Sequence, residues 1–264
     1  MPVRVHVVSD VHGSTEALAK AGTGADALVV LGDLLLYVDY ADPRQGMLAE
    51  LFGSEAAHRF AALRRDHRFA ELRAFGSEML EARGDPNALI RDVARQQYAE
   101  LFAAMPTPAY ATYGNVDIPE LWPEFRRPGV HALDGEVAEI GGWRFGFVGG
   151  WVPRRARGIS GPALRFGADC TAEEFAAKVE AVGEVDVLCS HIPPAVPELR
   201  YDTVARAFEV ASPAILDAIR RTQPRYALFG HVHQPLARRM RIGRTECVNV
   251  GHFRRTGEPF VLRW

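Results

Sequence analysis

Five short runs of β-branched and apolar residues, each stopping at a polar cluster, constrain this chain more than any other feature. Val3 to Val8 ends at Ser9-Asp10, Ala27 to Leu31 at Gly32-Asp33, and Ala109 to Tyr113 at Gly114-Asn115. Val185 to Leu188 ends at Cys189-Ser190-His191, and Tyr226 to Phe229 at Gly230-His231. Runs this short, rich in apolar residues and bounded by breakers, read as buried strands. A sheet made from them gathers their polar tips along one rim, where open α/β folds place their chemistry. The expected fold class is α/β.

Helical patterns lie between several of these runs. Ser14 to Ala19 predicts a short helix, and Thr171-Ala-Glu-Glu174 is a capping-box pattern ahead of Phe175, Val179 and Val182. Ser212-Pro213 opens a third helix with Ile215, Leu216 and Ile219 on one face. Glycines at 141–142 and at 243 predict β-hairpins within 137–148 and 240–250. Residues 37–102, rich in Ala, Arg and Glu and broken at Gly84-Asp85-Pro86, predict two or three amphipathic helices inserted between the second and third strands. A length of 264 residues suits one domain over 1–264 carrying 37–102 as an inserted helical subdomain.

Charge narrows the possible partners. With 33 acidic residues against 31 Lys and Arg, the formal charge is −2, so there is no strong nucleic-acid signature and no polybasic membrane anchor. No apolar stretch approaches the roughly 20 residues of a membrane span, and the start of the chain lacks the apolar core of a signal peptide. Three widely spaced cysteines, Cys170, Cys189 and Cys247, form neither a disulfide framework nor a zinc knuckle. A cytoplasmic location is the expectation.

The five tips bring together Asp10-Val11-His12, Asp33, Asn115-Val116-Asp117, His191 and His231-Val232-His233. Alternation along extended backbone predicts that Asp10 and His12 share one side, as do His231 and His233. Two carboxylates, one amide oxygen and four imidazoles exceed what a single tetrahedral ion uses and suit two ions. Mixed nitrogen and oxygen donors favour Mn, Fe, Zn, Co or Ni. Asp33 is the expected bridge, since its two oxygens can tie cations roughly 3.5 to 4 Å apart with a nucleophilic hydroxide between them.

These blocks, SDVHG, LGDLL, YGNVD, SHIPP and GHVH, resemble the ordered motifs of the calcineurin-like metallophosphoesterases from Asp10 to His233. The resemblance implies a four-layer αββα sandwich of two mixed sheets. It implies one metal ion on Asp10, His12, Asp33 and His233, and a second on Asp33, Asn115, His191 and His231, with Asn115 also touching the substrate phosphate. One position departs: where the family often has a histidine that protonates the leaving group, this chain has Val116. Asp117 keeps the usual carboxylate, expected to orient the Asn115 loop or a ligand histidine.

His252, where the family often has a serine, is the candidate replacement acid, beside the catalytic set Asp33, Asn115 and His191. Arg154, Arg155 and Arg157 are candidates to grip phosphate, and Trp151 to stack on a base or to pack. His58 and His67 read as surface helix residues. The expected activity is hydrolysis of a small phosphodiester or nucleotide, with a phosphomonoesterase or a non-catalytic protein-binding scaffold as alternatives. Both ends of 37–102 connect to strands whose tips bear ligands, so this segment is expected to cover the rim, or otherwise to form a homodimer surface.

Overall fold

The computed structural model describes residues 2–81, 85–152 and 168–264. Strand β1 (Arg4–Val8) leads through helix α1 (Thr15–Lys20) to β2 (Ala27–Leu31). Helices α2 (Met47–Phe52), α3 (Ser54–Arg65), α4 (Phe69–Glu81) and α5 (Pro86–Ala104) precede β3 (Ala109–Thr112) and β4 (Val130–Ala132). Then come β5 (Glu136–Ile140), β6 (Trp143–Val148), α6 (Ala172–Val182), β7 (Val187–Ser190), α7 (Pro197–Arg200), β8 (Tyr201–Asp202) and β9 (Ala207–Phe208). The chain closes with α8 (Pro213–Thr222), β10 (Tyr226–Phe229), β11 (Arg239–Ile242), β12 (Thr245–Asn249), α9 (Phe253–Thr256) and β13 (Phe260–Arg263).

Two mixed sheets form, in the orders β13-β1-β2-β3-β4 and β11-β12-β10-β7-β6-β5. β1 to β4 run parallel and β13 antiparallel; β6, β7, β10 and β12 run parallel, with β5 and β11 antiparallel at the edges. Alternation along each strand divides its side chains between two cores. Val5, Val7, Val29 and Leu31 meet Phe145, Phe147, Val187, Leu228 and Val248 between the sheets. Val8, Leu28, Val30 and Ala111 face outward onto Leu18 of α1 and onto Val93, Tyr98 and Leu101 of α5. On the far side Leu188, Ala227 and Phe229 face Phe175 and Val179 of α6 and Ile215 and Ile219 of α8. The result is the αββα sandwich that the motifs implied.

Local signals account for the helices. Thr171 and Glu174 exchange both capping-box hydrogen bonds at the start of α6, and the Ser212 side chain accepts from Ile215 N at the start of α8. The segment 37–102 differs from expectation in holding, among the described residues, four helices rather than two or three. Gly53, at φ 89°, separates α2 from α3, and His67, at φ 56°, follows α3; sequence periodicity alone passes over both breaks. α5 lies directly on the first sheet, burying Ile90, Val93, Ala94, Tyr98 and Leu101, so it supplies the sandwich's outer layer. Among the described residues no helix is long and apolar enough to cross a membrane.

Candidate active site

The expectation of extended backbone at the ligand motifs is corrected by the structure. Asp10, His12, Asp33 and His231 adopt left-handed conformations, with φ of 57°, 43°, 52° and 65°. They stand past the strand ends, where alternation no longer governs direction. Each such residue costs about 1 to 3 kcal/mol and persists only where its surroundings hold it. Hydrogen bonds do so here: Asp10 N donates to Gly32 O at 3.1 Å, His12 N to Asp33 O at 2.9 Å and Gly13 N to Leu34 O at 2.8 Å. Phe253 N donates to Ser9 O at 3.0 Å and Arg254 N to Asp10 O at 3.1 Å, so the loop bearing Asp10 and His12 is pinned from both sides.

Glycines let the tips approach one another. A β-carbon on Gly114 would fall 2.1 Å from Asp33 Oδ1, and one on Gly230 would fall 2.4 Å from Asp10 Oδ2 and 1.9 Å from Ser9 Oγ. No larger residue fits at either place without displacing a carboxylate of the rim.

The donors converge in two groups that meet at Asp33. His12 Nε2 lies 3.9 Å from Asp10 Oδ1 and 3.9 Å from Asp33 Oδ2, and His233 Nε2 lies 3.3 Å from Asp10 Oδ1. On the other side His191 Nε2 is 3.4 Å from Asp33 Oδ1 and 3.0 Å from Asn115 Oδ1, while His231 Nδ1 is 2.8 Å from the same amide oxygen. Val116 N donates to Asp33 Oδ1 at 3.0 Å.

Backbone carbonyls set the tautomers of two rings. His12 Nδ1 faces Leu35 O at 3.0 Å and His191 Nδ1 faces Leu31 O at 2.8 Å. A carbonyl only accepts, so Nδ1 carries the proton in each neutral ring and the Nε2 lone pair points at the carboxylates. Lone pairs facing oxygens at these distances need a proton or a cation between them. Asp10 Oδ1, His12 Nε2 and His231 Nε2 are buried with no hydrogen-bond partner, although His233 Nε2 is near Asp10. Buried polar atoms are rarely left so, and a cation satisfies them. Ligand atoms of Asp10, Asp33 and His191, and those of His12, His233 and His252, each lie within 4.8 Å of one another. The two groups of histidine and aspartate donors are consistent with a dinuclear metal site, and the residues fit that cofactor.

The electrostatics of the site follow from the same contacts. Burial works against a charged His191, but the adjacent Asp33 carboxylate outweighs it and pushes the ring up to about 9. Burial likewise opposes ionised Asp33, and His191 brings it down to about 2. Burial followed by the neighbouring His191 pushes His231 down to about 3. Burial and the adjacent His233 do the same to His252.

His252 lies face to face with His233, ring centroids 3.9 Å apart and planes 16° apart, and both its nitrogens are buried without partners. His252 belongs with His12 and His233 to one cluster of ring nitrogens within 4.8 Å of one another, so it could serve beside them as a metal donor or as a hydrogen-bonding group.

Asp117 sits beneath the rim. Its Oδ1 accepts from Leu34 N at 3.0 Å, Leu35 N at 3.4 Å and Tyr98 OH at 3.2 Å, and its Oδ2 accepts from Gly114 N at 2.9 Å. Tyr98 OH in turn accepts from Ile118 N at 2.7 Å. Burial and then the Asp33 charge raise Asp117 to about 6. The Asp33 and Asn115 turns are thus held to one carboxylate. Sequence reasoning missed Tyr98, a helix residue of 37–102, and also Arg254.

Trp151 flanks the donors, whereas His58 and His67 belong to the segment 37–102. Trp151 Nε1 donates to Asp169 Oδ1 at 2.7 Å and its ring centroid is 6.4 Å from that of His231. His58 Nδ1 meets Ser54 O at 2.7 Å within α3, and His67 packs on the Phe69 ring. Arg154, Arg155 and Arg157 lie outside the described residues.

A double-sheet sandwich with imidazole and carboxylate donors on its rim defines a metal-dependent phosphoesterase. The family model described as calcineurin-like phosphoesterase matches residues 3–235, and the chain belongs to that family. No curated protein sequence matches the chain significantly. One solved structure aligns over 100% of this chain and 95% of its own, with 17% identity and a TM-score of 0.64. TT1561 of Thermus thermophilus aligns over 99% of both chains, with 14% identity and a TM-score of 0.55. Phosphopantetheinyl hydrolase (PptH) from Mycobacterium tuberculosis aligns over 100% of this chain and 96% of its own, with 14% identity and a TM-score of 0.52. At these identities the likeness is one of fold.

Proposed function

We propose that the chain hydrolyses a small phosphodiester or nucleotide, with Asp10, His12, Asp33 and His233 holding one metal ion and Asp33, Asn115, His191 and His231 the other. Two ions in such a site supply Lewis acidity at phosphorus and a water nucleophile active near neutral pH. Asp33 offers Oδ2 to the His12 group and Oδ1 to the His191 group, which supports its reading as the bridge. The Leu35 and Leu31 carbonyls hold His12 and His191 in the tautomer that presents Nε2 to the ions. Asn115, whose turn is held by the Gly114–Asp117 hydrogen bond, faces His191 and His231 with Oδ1, and in this reading its amide Nδ2 donates to a substrate oxygen. In this reading His252, which stacks on His233, donates a hydrogen bond to the substrate or leaving group.

Val116 carries the preference for a diester. It stands where the family often has a proton-donating histidine, and its side chain packs against the apolar core beneath the rim. An apolar residue there gives a poor alkoxide leaving group no help, which penalises alkyl monoesters most. His252 is the observation that keeps a monoesterase as the second reading. All seven donor positions of the motifs are filled, which argues against a scaffold without activity.

Residues 37–46 are tied to the His12 loop through Arg254, which supports the segment 37–102 narrowing access to the rim. The alternative for this segment is a homodimer surface, on which the exposed Phe69 would lie, and a cytoplasmic location completes the reading. The deciding experiment compares an alkyl monoester, a linear aryl diester and cyclic nucleotides on protein loaded separately with Mn, Fe and Zn. Turnover of the diester ahead of the monoester is expected, and a dominant alkyl monoesterase activity would overturn the preference.

A further inference from the structure

The loop carrying Asp10 and His12 is held in left-handed backbone, so the partners of its peptide groups decide whether those two side chains stay aimed at the rim. Its N–H groups go to the end of β2, at Gly32, Asp33 and Leu34. The Ser9, Asp10 and Val11 carbonyls accept from the backbone N–H groups of Phe253, Arg254 and Ser14. The His12 carbonyl is different, for it accepts from the Arg254 side chain, Nη1, at 2.7 Å. The other arm of that guanidinium, Nη2, donates to Asp39 Oδ2 and, at 3.0 Å, to Gln45 Oε1. Burial opposes an ionised Asp39, but its bond to Arg254 holds the carboxyl below the usual range.

One planar fork therefore joins the first metal-binding loop, the turn after His252 and the opening of the segment 37–102. We propose that Arg254 is a positioning residue for the metal ion at His12, and that through Asp39 and Gln45 it transmits the placement of residues 39–45 to that ion. The assignment rests on the two-ion reading above. Without the guanidinium, His12 loses the partner of its carbonyl in a conformation that needs one, and Asp39 loses its cation. Lysine cannot replace it fully, because a single ammonium does not present two forked arms to acceptors on different segments.

The test uses the full chain, stripped of metal and titrated with Mn²⁺ or Zn²⁺ alone against a chelating indicator. Arg254→Met should weaken one of the two ions by about 10- to 100-fold, the range for partners that orient metal ligands, and leave the other unchanged. Asp39→Asn should act on the same ion in the same direction but less, since the His12 and Gln45 contacts remain. Arg254→Lys should fall between wild type and Arg254→Met. Wild-type affinity for both ions in a folded Arg254→Met protein would overturn the proposal, as would equal weakening of both. If Arg254→Met does not fold, Asp39→Asn decides, and unchanged affinity there rejects the assignment. Wild type taking up one ion would overturn the two-ion reading instead, while the response of that ion to Arg254→Met would still decide the role of Arg254.

Discussion

Oδ1 of Asp33 lies 3.4 Å from Nε2 of His191, with both side chains buried and the far nitrogen of the ring facing the Leu31 carbonyl at 2.8 Å. In metal-free protein a proton on His191 takes the place of a cation. A histidine raised to about 9 contributes stability fully below its unfolded value near 6.5 and loses it as pH rises through 9. The carboxylate lowered to about 2 contributes above its unfolded value and loses that only as pH falls through 2. Chelator-treated protein should therefore melt at progressively lower temperature between about pH 7 and about pH 9.5, and metal-loaded protein should not. Thermal melts across that window check it, and parallel curves with and without metal would reject the idea.

Asp33 faces both donor groups, so its loss should be felt by both ions. Asp33→Asn keeps the shape and removes the charge. Activity should fall by more than about 100-fold, beyond the usual effect of losing an outer partner, and metal content should fall at both positions. Elemental analysis separates this from the loss of one ion, which would mean that Asp33 does not bridge.

Leaving-group chemistry tests Val116. Rates across aryl esters of graded phenol acidity should depend steeply on the leaving group, because no strong acid stands at 116. Val116→His should raise alkyl monoester turnover, by up to about 100-fold, the lower end of what a placed general acid contributes. His252→Ala should lower the remaining alkyl activity with both ions retained. A shallow dependence in wild type that steepens in His252→Ala would show that His252 already serves as the acid.

Tyr98 is fully buried, donates to Asp117 and accepts from Ile118 N. Tyr98→Phe strips both bonds and strands a buried N–H, which costs about 1 to 3 kcal/mol. Chemical denaturation should show the loss in the midpoint with an unchanged slope. An unaltered midpoint would mean that water replaces the hydroxyl.

The donor residues could be read in the sequence because each follows an apolar run and stands beside a breaker, a local signal that survives without neighbours. The sheets were legible for the same reason: Val29 and Val30 show in their own composition that both faces of β2 are covered. What could not be read is the backbone around Asp10 and His231, since period-two alternation ends where the strand ends. Arg254 was invisible because its partners are a main-chain carbonyl and two polar side chains far away in the chain. Tyr98 was hidden in an amphipathic pattern where a buried hydroxyl looks like one more apolar ring.

Gly114 and Gly230 each press against a carboxylate that belongs to a different strand tip. A damaging substitution at either site would therefore leave its own neighbourhood almost intact and injure a distant stretch of sequence. Gly230→Ala would present as a defect of Asp10, and Gly114→Ala as a defect of Asp33. Random mutagenesis selected for loss of activity should recover such glycine changes, and suppressors should arise around residue 10 or residue 33 rather than beside the original lesion. In genetic language the rim is a set of intragenic suppressor pairs, and the inheritance of one tip constrains which sequences its opposite can explore.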